Sequence, residues 1–286
     1  MNTMNVLKKF SMVAAAAVSA TVALGSQNAA FAFTVTQNND GNTLLNSLLG
    51  SNINGLSGFN VTTTGNANAF GLFSNDPFGL GSGVVLSTGN VLDVVGPNDT
   101  SSKTTSYGTP GDTAGSFDLA QLDISFFADN TVSNVFFEYV FGSEEFLEFA
   151  GSQFNDSFEL LLNGTNLALL ANSNPVTINN LANSPTGPFD PAYINNIGND
   201  TQLDGYTTNL TFQGAVNKNA VNTLSIKIKD VGDSVLDSAV FLKGGSISVV
   251  PPKAVPEPAS LIGILGLGAF GVTTLRKRKQ ATAVKA

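Results

Sequence analysis

The 286-residue chain contains no cysteine, no histidine and no tryptophan. Without cysteine there can be neither disulfides nor thiolate metal sites. Without histidine, the usual nucleophile–base pairs and most transition-metal centres are excluded. A serine nucleophile served by a lysine base fares no better, because no Ser-x-x-Lys occurs anywhere in the chain. Charge is scarce as well: Asp, Glu, Lys and Arg make up 12% of residues, against roughly a quarter in an ordinary soluble domain. The surface is left to Asn, Ser, Thr and Gly, a hydroxyl- and amide-rich face.

The few basic residues sit mostly at the ends. Lys8 and Lys9 stand near one end, and Arg276, Lys277, Arg278, Lys279 and Lys285 near the other. Between these ends six lysines face all 21 acids, a formal charge of −15. Such a segment repels the phosphates of nucleic acid and offers its field to cations instead. The same charge also keeps a protein soluble and discourages self-association.

Both ends read as targeting segments. Lys8 and Lys9 precede the small-residue apolar stretch Phe10–Leu24, and Ala30-Phe31-Ala32 supplies an A-x-A site. That order predicts a secretory signal over residues 1–32, cleaved before Phe33. At the other end, Val255-Pro256-Glu257-Pro258 closes a Pro-rich linker over 251–258. The apolar run 259–275 follows, and its 17 residues would span about 25 Å as a helix, just enough for a hydrocarbon core. Arg276, Lys277, Arg278 and Lys279 then act as a stop-transfer cluster that holds the tail, residues 276–286, on the cytoplasmic side.

Residues 33–250 alternate short apolar stretches with Gly, Asn, Asp and Pro clusters, predicting an all-β domain of sandwich or jelly-roll type. Thr43–Leu49 places leucines at helical spacing and predicts one short N-terminal helix ended by Gly50. Strands are expected at Phe33–Thr36, Phe59–Thr64, Ala69–Phe73, Val84–Ser87, Gln121–Phe127, Asn134–Phe141, Asp156–Leu162, Leu167–Leu170, Thr207–Gln213, Asn222–Lys229 and Ser238–Val249. Val135–Phe141 is apolar save Glu138, the pattern of a central strand buried on both faces. Residues 96–115 and 172–204 are expected to be long loops, the second with room for a hairpin.

The densest acids suggest where chemistry could sit. Glu144, Glu145, Glu148, Asn155 and Asp156 fall in and around one inter-strand loop, while Asp230, Asp233 and Asp237 crowd another strand start. If sheet pairing joins the two groups, their oxygens suit calcium, which takes six to eight such ligands. Neither group has the spacing of an EF-hand or a nonapeptide repeat. The same acids could equally cap turns. Paired carboxylates also serve glycoside hydrolysis, but a chain with no Trp and four Tyr offers little for a sugar to stack on.

Two family resemblances emerge. Pro256-Glu257-Pro258, the short span and the basic stop resemble the PEP-CTERM sorting tail of bacteria that possess an exosortase. The likeness implies that an exosortase-type processing enzyme recognises the tail and cleaves nearby, leaving a protein that is membrane-anchored, at the cell surface or extracellular. Further in, six segments in order resemble the choice-of-anchor L domain: Leu44–Gly50, Gly83–Gly89, Gly96–Asn98, Phe137–Phe146, Asn155–Phe158 and Asp237–Phe241. That likeness implies a surface module over residues 33–250 and brings no functional residues with it. Together they lead to the expectation of a non-enzymatic structural or adhesive protein of the extracellular matrix or biofilm, with exopolysaccharide or other surface components as partners. A calcium-dependent carbohydrate-binding module is the alternative, and a polysaccharide hydrolase the third reading.

Overall fold

The computed structural model describes residues 32–252, and the period-2 patterning of the sequence is what organises them. In chain order the strands are β1 (Thr34–Gln37), β2 (Leu56–Thr64), β3 (Phe70–Ser74), β4 (Ser82–Ser87), β5 (Ser116–Ala128), β6 (Asn134–Ser143), β7 (Ser157–Leu162), β8 (Thr165–Asn166), β9 (Tyr193–Asn195), β10 (Gly205–Thr207), β11 (Leu210–Ala215), β12 (Ala220–Val231) and β13 (Ser238–Lys243). Two short helices accompany them, α1 (Gly41–Leu48) and α2 (Ile178–Leu181). The strands form two antiparallel sheets. One runs β1-β3-β4-β13-β6-β10-β9, with β11 also on β6; the other runs β2-β5-β12-β7-β8. The expected β-rich sandwich is what forms.

Alternation is strictest in β5, where Ala120, Leu122, Ile124, Phe126 and Ala128 all point inward and are buried. They meet Phe137, Tyr139 and Phe141 of β6 in the main core, with Phe158, Leu160, Ile226 and Ile228 from the other strands of the second sheet. The Tyr139 and Phe158 rings, one from each sheet, lie 4.9 Å apart. A smaller core covers the opposite face of the first sheet. There Val85, Val140 and Phe241 are packed under Phe73, Leu80, Val91, Val94 and Leu203. This second layer is why the β6 sequence is apolar on both faces rather than alternating.

Most predicted strands are present, and three strand readings are corrected. Leu167–Leu170 is not a strand; it carries a single bridge, Leu169 to Pro175, because Asn163-Gly164 turns β7 straight back into the two-residue β8. Asn163 and Gly164 both take positive φ, the backbone of a tight hairpin turn. Thr207–Gln213 is split into β10 and β11, and the Thr207 hydroxyl accepts the Phe141 N–H at 3.1 Å beside the break. Ser238–Val249 stops as a strand at Lys243, after which only single bridges from Ile247 and Ser248 continue.

The helix is where expected, but its end is not built as expected. Asp40 caps its start, accepting the Thr43 N–H at 2.7 Å, while Leu44, Leu45 and Leu48 face the core. The chain leaves it through Leu49 in an extended conformation, so Gly50 is no left-handed cap. Glycine is needed there for close approach, since a Cβ would lie 2.4 Å from the Gly245 carbonyl oxygen. Of the two long loops, residues 96–115 hold no strand, whereas 172–204 contain α2 and the β9 arm of a hairpin with β10.

The predicted signal (1–32, apart from its last residue), the sorting motif Val255–Pro258, the span 259–275 and the basic tail lie outside the described residues. Among the described residues, no helix is long and apolar enough to cross a membrane.

Candidate functional site

Sheet register gathers the acids at one end of the sandwich. Antiparallel pairing sets Ser143, the last residue of β6, opposite Ser238 of β13 and Gly205 of β10. Ser87 at the end of β4 faces Ala239, Lys229 faces Ser157, and Asp230 faces Phe117. Every acid beside those positions therefore emerges at the same end: Glu144 and Glu145 after β6, Asp156 before β7, Asp204 before β10, Asp230 at the end of β12, Asp237 before β13 and Asp118 near the start of β5. Glu144, Glu145, Asp118, Asp156, Asp230 and Asp237 are all buried.

Two of these carboxylates organise the loop 96–115. Asp118 accepts the N–H groups of Tyr107 (2.9 Å), Gly108 (3.3 Å) and Thr109 (2.7 Å) and the hydroxyls of Ser106 (3.5 Å) and Thr109 (2.9 Å). Asp237 accepts the Thr105 N–H at 2.9 Å and packs where any side chain on Gly89 would lie. The Gln202 amide donates to Asn98 Oδ1 and to the Thr100 carbonyl, tying the start of the same loop to the 196–204 turn.

Others in the group lack such partners. Both carboxylate oxygens of Glu144, both of Asp230, and Oε2 of Glu145 are buried without a hydrogen bond. Burial, with the charges of Asp204 and Asp237, pushes the Glu144 carboxyl up to about 9, outweighing the favourable Lys103 N–H and Gln202 amide dipoles nearby. Burial likewise raises Glu145 to about 9, with Asp156, Asp233 and Glu148 adding to the effect. Asp237 is raised to about 7, chiefly by burial. Asp156 and Asp230 are both raised, first by burial; the Asp156 charge adds to the effect on Asp230, and the Asp233 charge to that on Asp156. An acid group desolvated beside like charges resists ionisation.

The eight residues singled out in the sequence divide accordingly. Glu145, Asp156, Asp230 and half-buried Asp233 form one group, in which each feels at least one other. Glu144 and Asp237 form a second with Asp204. Glu148 is exposed at the rim. Asn155 is turned away to a structural task, its Oδ1 accepting the Asn179 N–H of α2 at 2.9 Å. Sequence reasoning missed Asp118 and Asp204; Asp204-Gly205 before a strand is a signal that could have found one of them. Among the described residues, no group of three or more acids already surrounds one point in a way that would hold a metal ion.

A second feature lies on the loop 172–204. A groove of about 340 Å³ is lined by Asn172, Asn174, Asn180 and Asn183, with Asp190 and the half-exposed Phe189 ring. Amides beside an aromatic face are groups that can hydrogen-bond and stack on a sugar.

Comparison with known proteins adds two matches. A family model described as the choice-of-anchor L domain matches residues 25–248. A second, described as the PEP-CTERM protein-sorting motif, matches residues 254–279. No curated protein and no solved structure matches the chain.

Proposed function

The chain belongs to the choice-of-anchor L domain family, and from that premise we propose that it is a non-enzymatic structural or adhesive module of the extracellular matrix. The PEP-CTERM motif implies export, recognition by an exosortase and anchoring to the cell envelope. Neither match is to an enzyme family.

One observation carries the reading. The family domain ends at residue 248 and the sorting motif begins at residue 254, so the sandwich is the part of the matched chain that the tail delivers. Its acidic, hydroxyl- and amide-rich face suits a hydrated matrix, where it resists collapse and self-association. The test is deletion of the gene from its host, with complementation by the full chain. Biofilm cohesion or colony texture should change on deletion and return on complementation. Unaltered matrix in the deletion strain would count against the role.

The groove beside Phe189 favours a second reading, in which the module grips exopolysaccharide directly. Retention on a glycan array that is lost in Phe189→Ala would favour it, and a flat array would leave the scaffold role.

A further inference from the structure

The search for an unassigned site leads to the place where β7 and β12 end. Asp156 and Asp230, each 1% exposed, stand next in register to the Lys229–Ser157 pair and so come side by side. Asp156 is used by the fold: Oδ1 accepts the Val231 N–H at 2.9 Å and Oδ2 accepts the Ser238 hydroxyl at 2.7 Å. Asp230 has a hydrogen bond on neither oxygen. Glu145, also 1% exposed, arrives from the opposite sheet with Oε2 unpartnered and lies near enough to feel the Asp156 charge.

Ionised carboxylates only accept, so carboxylates in contact repel unless something positive lies between them. No cationic side chain among the described residues fills that role. Lys229, next in sequence to Asp230, is held by Asp112 at 2.8 Å and Glu159 at 3.0 Å. Lys103 pairs with Asp93 at 3.2 Å, and Lys243 with Glu138. Asp118 provides the contrast: a carboxyl equally buried but supplied with donors on both oxygens. The fully buried Thr88 hydroxyl lies beside Asp230 and favours its charged form without reaching hydrogen-bonding geometry, and the half-buried Asp233 stands at the rim.

We propose that Glu145, Asp156 and Asp230 bind one divalent cation of the calcium type. With no histidine or cysteine in the chain the ligands are all oxygen, the donor set of hard cations. Calcium fits better than magnesium because it accepts irregular shells of six to eight carboxylate, hydroxyl and water oxygens. The carboxylates do not yet surround one point, so binding draws Glu145 and Asp230 inward by side-chain rotation. The cation then joins Glu145, just after β6 of the first sheet, to Asp156 and Asp230 at the β7 and β12 ends of the second. This goes beyond the matrix role and does not depend on it.

The test uses the full chain in detergent micelles, stripped with chelator and titrated with calcium by calorimetry and by thermal melting. Calcium should raise Tm by about 5 °C or more, reversibly with chelator. Magnesium should do less, and potassium at matched ionic strength nothing. Asp230→Asn should melt no lower than the wild type in chelator, because it removes an unpartnered buried carboxyl, yet bind calcium at least tenfold more weakly. Glu145→Gln should lose affinity in the same direction and covers the case in which the first variant misfolds. A wild-type Tm unmoved by calcium would mean that Asp156 and Asp230 share a proton instead, and would overturn the proposal. So would wild-type calcium affinity in both variants, which would place the ion on the general acidic surface.

Discussion

Lys229 shows how a single buried charge is managed. Its side chain is 5% exposed, and its ammonium sits 2.8 Å from Asp112 and 3.0 Å from Glu159. Asp112 also receives Lys227 at 2.8 Å. Burial alone would raise the Asp112 carboxyl, but hydrogen bonds from Lys227 and Lys229 outweigh it and hold the group below its ordinary 3.8. A carboxyl depressed in the folded state stabilises above its unfolded value, and that stabilisation is lost as pH falls through the folded value. Asp112→Asn should therefore cost about 1 kcal/mol near neutrality, water screening the exposed carboxylate, measured by urea unfolding. The gap between variant and wild type should close in acid below the ordinary carboxylate range, as Asp112 becomes protonated. A gap that persists in strong acid would show that Asp112 acts through packing rather than charge.

At the scale of elements, the loop 96–115 is ordered by acceptors rather than by a sheet. Asp118 takes a positive φ of 47°, which Asn tolerates as well as Asp does. Asp118→Asn thus keeps the backbone but replaces one acceptor oxygen with a donor facing the N–H groups of 107–109. Deuterium exchange should accelerate across residues 104–109 while β5 and β12 stay protected, at a stability cost of about 2–3 kcal/mol. Unchanged exchange would mean that the loop is held elsewhere. Such contacts explain what the sequence could and could not reveal. Strands with clean alternation, β5 and β12 above all, were legible, as was the leucine spacing of α1. The ends were not, since Gly50 serves a contact with Gly245 that lies far along the chain, and the Asn163-Gly164 turn outcompetes the β-prone run Leu167–Leu170. Glu145, Asp156 and Asp230 were recognisable as loop acids. That their strand ends coincide depends on non-local register, which no local pattern encodes. Asp118 escaped notice because it lies inside a strand, the third residue of β5 beyond the loop.

For the whole molecule, the sandwich, the family match and the tail describe a protein built to be delivered. The Phe33 ring lies 6.1 Å from both Phe78 and Phe241, so the smaller core begins at the residue predicted to follow signal cleavage. Cutting there leaves β1 and its aromatic contacts intact. Display outside the cell is the claim on which the matrix role depends, and protease shaving of intact host cells with mass spectrometry tests it most directly. Peptides from residues 33–252 should be released from intact cells, with Phe33 as the first residue of the mature chain. Replacing Pro256, Glu257 and Pro258 by alanine should abolish that release while leaving the protein detectable in lysed cells. A domain shielded in intact cells, or equal release from the alanine variant, would contradict it.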